Sequence, residues 1–247
     1  MKAVPVTAIV FVLMAFCLNS YAQTPLRFAR IENISDQFLG GEILKHVYGR
    51  LNIPIELVDL PAQRALLNSS QGQLDGEVHR NINIQQQYPT LTIVRPAINY
   101  IEPSVFSRKH HFVVKGWDSI NAYSTGIVKG VGTSEDGTRA MKNVLAVSTL
   151  DQLMQVLAAD RVDVAVSDSF SGLAAIKRLR LDDQITVLTP PLQRNEIYHY
   201  LHEKHRDLIP KVEKVLRDMQ RSGELDQLRK QITEKYLADL DGAFDRK

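Results

Sequence analysis

Two stretches of the chain end in opposite charges at matching places. Asp75-Gly76-Glu77-Val78-His79-Arg80 and Asp163-Val164-Ala165-Val166-Ser167-Asp168 each run from an aspartate to a charged residue five positions on. A guanidinium grips a carboxylate through two parallel hydrogen bonds, and a carboxylate accepts from an ammonium group. Set across a cleft, Arg80 and Asp168 would suit a small solute with both an amine and a carboxylate. Each residue also has a plainer role. Asp168 can cap the helix that follows it, and Arg80 can form a salt bridge to Glu77 or Asp168. Glu77 is the one acid placed to act as general acid or base if the protein were an enzyme.

Three further residues bear on the same chemistry. Arg64 lies early in a helix and either reaches the cleft or lies on a solvated face. Thr133, in Gly132-Thr133-Ser134, opens a helix whose free N–H groups would favour an anion. Glu135 and Asp136 in that first turn would repel one, and Thr133 to Asp136 also reads as a capping box. Tyr100, like Phe28 and Phe38, could cover an apolar part of a solute or belong to the core. His199, His202 and His205 cannot share one helix face, so no metal is expected, and no phosphate loop or nucleophile motif points to a cofactor.

Strands and helices alternate in a way that can hold these charges. Residues 26–30, 55–58 and 74–80 read as strands, with helices over 42–51 and from Pro61 to Gly72 between them. A second cycle follows, with strands over 126–131, 144–147, 162–166 and 185–188. Its helices start at Ser134, Leu150 and Phe170, the second opened by the box Thr149-Leu150-Asp151-Gln152. The passage between the cycles is β-rich, over 91–94, 100–106 and 111–114. Residues 197–201 add a strand, and helices over 206–220 and 225–236 close the chain. Such alternation builds parallel sheets, which bind ligands beyond the carboxyl ends of their strands. Two α/β lobes are expected: residues 23–106 with 196–247, and residues 107–195. The crossings over 100–108 and 192–199 would form a hinge.

The 247 residues carry a formal charge of +2, with acids and bases interspersed, which argues against a nucleic-acid partner. Lys2, an apolar run over 8–18 and Ser20-Tyr21-Ala22 read as an export signal cleaved after Ala22, so residues 1–22 are a leader and the mature protein is periplasmic. Cleavage removes Cys17, the only cysteine.

The order of these features resembles the extracellular solute-binding proteins of family 3, which include periplasmic receptors for polar amino acids. The likeness rests on Leu66…Gly72-Gln73-Leu74-Asp75, on Gly130-Val131-Gly132-Thr133, on the run from Leu157 to Asp168, and on Met219-Gln220-Arg221-Ser222-Gly223-Glu224-Leu225. It implies an α/β type II periplasmic-binding-protein fold, with Asp168 holding a ligand's amino group. Family receptors usually carry a carboxylate-binding arginine a short way beyond the lobe-one aspartate, where this chain has Gln85, Gln86 and Gln87. The following Tyr88-Pro89-Thr90-Leu91 resembles the branch without an assigned transporter. The expected function is a monomeric, non-catalytic receptor for a small polar solute, serving uptake or sensing through a separate permease or sensor chain. The rival is a dehydratase-like enzyme on the same fold.

Overall fold

The computed structural model describes residues 24–32 and 34–244; the expected leader lies outside the described residues. The chain begins with β1 (Leu26–Ile31), α1 (Ser35–Gly49), β2 (Ile55–Leu60), α2 (Ala62–Ser70), β3 (Gly76–Arg80), α3 (Ile84–Gln87), β4 (Leu91–Ile93) and β5 (Asn99–Ile101). There follow β6 (Pro103–Ser107), β7 (Thr125–Val128), α4 (Gly132–Thr138), β8 (Val144–Val147), α5 (Leu150–Ala158), β9 (Val164–Asp168), α6 (Ser169–Leu179) and β10 (Thr186–Leu188). It returns through β11 (Asn195–His202), α7 (Ile209–Arg221) and α8 (Glu224–Phe244). Among the described residues, no helix is long and apolar enough to cross a membrane.

The strands form two sheets. One has the order β2-β1-β3-β11-β4, with β5 paired to β11; the other runs β10-β6-β9-β7-β8. In each, three neighbouring strands are parallel, and their carboxyl ends set out the loops of one edge. Each sheet has its own core, and Phe170 of α6 joins the first from the second lobe. Phe28, Leu39, Ile43, Leu44, Val47 and Tyr48 pack with Val212, Leu216 and Met219 of α7 on the first sheet. Phe106, Leu153, Met154, Leu157, Ala165 and Ile176 form a core on the second.

The boundary expected after residue 106 falls elsewhere. Every residue of β6 pairs antiparallel with β9, from Pro103 opposite Asp168 to Ser107 opposite Val164. The strand expected over 100–106 is divided at Glu102, just before Pro103. Pro103 is the first residue of β6, where its missing N–H breaks no ladder bond. The first crossing between the sheets is therefore Glu102 alone, and the second is 189–194.

Two other expectations change. Residues 111–114 form no strand, although Val114 N–H donates to the Thr189 carbonyl at 3.2 Å. Helix α1 starts at Ser35 and not at Glu42. Gly40 and Gly41 look like a break in the sequence but lie inside the helix because neighbours crowd them. A Cβ on Gly40 would sit 2.1 Å from Cδ2 of His79, and one on Gly41 would sit 2.7 Å from Cδ1 of Leu57.

Candidate functional site

A cleft of about 1280 Å³ opens between the sheets. Its first wall comes from the ends of β1, β2 and β3 and the start of α1, with Arg30, Asp36, Asp59, His79, Arg80 and Asn81 among its residues. The facing wall comes from the loop ends of the second sheet, including Ser148, Asp151, Ser167, Asp168, Ser171 and Arg178. Ile101 and Ile197 line it from the two strands next to the crossings.

Arg80 owes its position to an irregular pairing. Along β3 and β11, Tyr198 sits opposite Arg80 and Tyr200 opposite Glu77, so β3 spends one more residue than β11 over this stretch. Residues three apart on a regular strand point to opposite faces. The extra residue makes this a bulge, which returns Arg80 to the face of Glu77, and Arg80 Nε meets Glu77 Oε2 at 2.7 Å. Gly76 makes the close approach of β11 feasible, because a Cβ there would lie 2.0 Å from the Tyr200 carbonyl oxygen. Arg80 Nη2 donates to the Ala62 carbonyl at 3.1 Å. Nη1 donates no hydrogen bond among the described residues, and Arg80 lines the cleft.

Glu77 is therefore placed beneath the site. It is fully buried and does not line the cleft. Burial raises its pKa, and the charge of Arg80 acts in the opposite direction. The salt bridge weighed from the sequence as the plainer role of Arg80 is formed, and Arg80 still lines the cleft.

Asp168 lines the cleft while capping α6. Its Oδ2 accepts from Ser171 N–H at 3.0 Å, and its Oδ1 accepts from Glu102 N–H at 3.0 Å. Burial pushes its pKa up against these bonds. A carboxylate has about four lone-pair sites, so capping leaves capacity for a ligand donor. The structure places the guanidinium and the carboxylate on facing walls of one cavity.

The other three sequence candidates lie away from it. Arg64 is exposed on α2 and is not part of the cleft lining. Thr133 is outside the lining too, and the capping box from Thr133 to Asp136 does not form: Val131 is the N-cap, and Glu135 Oε1 accepts instead from Gly130 N–H at 2.8 Å. Tyr100 is stacked between two guanidinium groups, Arg194 at 3.2 Å and Arg229 at 3.3 Å from its ring centroid. It belongs to a second, smaller hollow near the crossings. Gln85, Gln86 and Gln87 are exposed on α3. Of the three histidines, His199 bonds Tyr48 and His205 bonds Asp75, while His202 accepts from Lys204 N–H.

Sequence reasoning missed Asp36, His79 and the two arginine–carboxylate pairs of the walls. Asp36 is in the first turn of α1, 8% exposed, with Oδ1 accepting from Asn99 Nδ2 at 2.8 Å and Oδ2 3.3 Å from His79 Nε2. Burial first, and the Asp168 charge second, hold its pKa well above the usual carboxylate range. An aspartate beside a serine just before an apolar run signals a helix start, but the glycine pair hid it. Arg30 grips Asp59 through two bonds of 2.6 and 2.7 Å, and Arg178 pairs with Asp151. Both pairs line the cleft, so Arg80 is the lining arginine whose carboxylate partner lies outside it.

Two α/β lobes, each with a strand arriving from the other lobe set antiparallel beside the three parallel ones, have the type II periplasmic-binding-protein fold, and the structural comparisons give the same class. An ancestral cationic amino acid solute-binding protein superimposes with a TM-score of 0.68 at 13% identity, over 84% of this chain and 94% of that one. An amino acid ABC transporter substrate-binding protein from Streptococcus pneumoniae, bound to L-arginine, gives 0.63 at 13% identity, over 86% and 96%. A histidine kinase sensor domain with similarity to periplasmic binding proteins gives 0.63 at 12% identity, over 85% and 96%. No protein-family model matches the sequence, and no curated protein does.

Proposed function

We propose that the protein is a non-catalytic periplasmic receptor that closes its two lobes around a small carboxylate-bearing solute, an amino acid or a close relative. The observation that carries this is Arg80 in the cleft lining, held there by a buried carboxylate and a backbone carbonyl that leave its Nη1 without a hydrogen bond among the described residues. Asp168 faces it from the other lobe and supplies acceptor capacity for an amine. The dehydratase-like alternative loses support because Glu77, the acid it would use, is fully buried outside the lining. The solved relatives include a transporter's binding protein and a sensor domain, and uptake and sensing both remain within the proposal.

A thermal-shift screen of the protein against amino acids and other small carboxylates tests it, since binding to the folded state raises apparent stability. At least one carboxylate should bind, and calorimetry should show Arg80→Gln weakening it by roughly 2 kcal/mol or more. Arg80→Lys keeps a charge over Glu77 but lacks the planar fork, so it should fold and still bind weakly. Wild-type affinity in both variants would defeat the assignment.

A further inference from the structure

We propose that the solute carries a bulky apolar group beside its carboxylate, an inference that rests on the receptor reading and narrows it. Two observations carry it. The first is the state of the polar lining. Asp59 and Asp151 are taken by Arg30 and Arg178, Asp36 accepts from Asn99, and Asp168 accepts two backbone hydrogen bonds. A solute polar along its whole length would have to displace these pairs or leave its own groups unbonded, which is costly in an enclosed site. The two arginine–carboxylate pairs of the lining are matched to one another, which leaves Arg80 and the spare lone pairs of Asp168 as the charged groups open to a solute's carboxylate and amine.

The second is the apolar surface of the same cavity. Ile34 on the first wall and Val131 on the second are 42% and 43% exposed, and both line the cleft. Single exposed apolar residues are ordinary. These two project from opposite lobes into one concave space, where closure would cover both if a matching group lay between them. Phe38 and Tyr236 extend the surface, with ring centroids 5.0 Å apart and the Tyr236 hydroxyl 3.4 Å from Ser35 Oγ. Tyr236 reaches the cleft from α8, so the last helix contributes to the site. Small-molecule sites typically occupy roughly 300–1,000 Å³. At about 1280 Å³, the cleft has room for more than a compact polar amino acid.

The test is calorimetry of the full chain with leucine, phenylalanine and 4-phenylbutyrate against serine, glutamine and arginine. The apolar carboxylates should bind at least tenfold more tightly than the polar set. Ile34→Ser and Val131→Ser should each lower affinity for the best apolar probe about tenfold, while circular dichroism and the melting point of the free protein stay put. Serine, glutamine or arginine binding as tightly as the apolar probes would overturn the inference and leave the receptor reading intact. Unchanged affinity in both variants would also overturn it. Should none of the six probes bind, and none of the wider carboxylate screen, the inference fails together with the receptor reading.

Discussion

Arg80 and His199 meet beneath the site through the backbone and side chain of one residue, Glu77. The His199 ring sits with Nδ1 at 2.7 Å from the Glu77 carbonyl and Nε2 at 2.8 Å from the Tyr48 hydroxyl. A carbonyl can only accept, so Nδ1 carries the proton and Nε2 accepts from the tyrosine. His79 is held likewise, with Nε2 donating toward Asp36 and Nδ1 accepting from Gln37. Burial, the leading cause for both rings, lowers each pKa to about 4. An unfolded histidine titrates near 6.5. Between pH 6.5 and 4 the unfolded chain therefore binds protons that these folded rings refuse, so stability falls as pH falls through that window. Below pH 4 both states are charged and the loss stops growing. By pH 5 each ring costs roughly 2 kcal/mol. The raised carboxylates Asp36, Glu77 and Asp168 act in the opposite sense, so the wild-type slope alone does not isolate the histidines. The stability difference between wild type and His199→Gln does. Urea denaturation should find that difference smaller by roughly 2 kcal/mol at pH 5 than at pH 7; an equal difference would mean that folded His199 takes up its proton as readily as the unfolded residue. At this scale the sequence was partly legible. It placed Asp168 before a helix and Glu77 near Arg80, but a bulge that aligns residues three apart depends on pairing with β11, which lies far along the chain.

Elements followed the apolar pattern where each was closed by its own neighbours, and departed from it where another element intruded. The strands β1, β2, β8 and β9 and the helix α5 came close to their expected bounds. Thr149 Oγ accepts from Gln152 N–H at 3.2 Å, as a cap should, and Gln152 Oε1 accepts from Ser148 N–H at 3.1 Å. The starts of α1 and β6 went astray because Gly40 is small for the sake of His79 and Pro103 opens a strand. Glycines of the first lobe thus divide by what surrounds them. Gly76→Ala would drive a methyl into the Tyr200 backbone, which cannot swing aside as a side chain could. It should lose about 3 kcal/mol or more, by analogy with overpacked cores. Gly49→Ala, at the end of α1 with nothing within 4 Å of its added Cβ, should instead gain up to about 1 kcal/mol of helix propensity. Thermal denaturation of the two variants should shift in opposite directions. Equal losses would show that Gly49 serves a contact absent from this structure.

At the scale of the whole molecule, the fold class was legible because strand–helix alternation repeats in two cycles, while the lobe boundary was not. Continuous β-character through 99–107 gave no local mark of a change of sheet; the division appears only when each segment's partner is known. If the receptor reading holds, closure should rotate the lobes as rigid bodies about the crossings at Glu102 and 189–194. Small-angle scattering should show a smaller radius of gyration at saturating solute with an unchanged circular dichroism spectrum. A radius that stays the same, in a protein shown to be open when free, would remove closure. The single-residue crossing has one more consequence. Glu102 donates its N–H to Asp168 and accepts at its carbonyl from Ser169 N–H at 2.9 Å, so it is fastened to the second lobe through both backbone groups. In that closure the bend of this crossing would fall just before Glu102, at the base of the cleft. Levers with a fulcrum at one end turn a small swing near the base into a wide sweep at the tips. A partner gripping the outer rims would feel that sweep and need know nothing of the solute's chemistry, so the cleft could change its occupant without any redesign of what reads the motion.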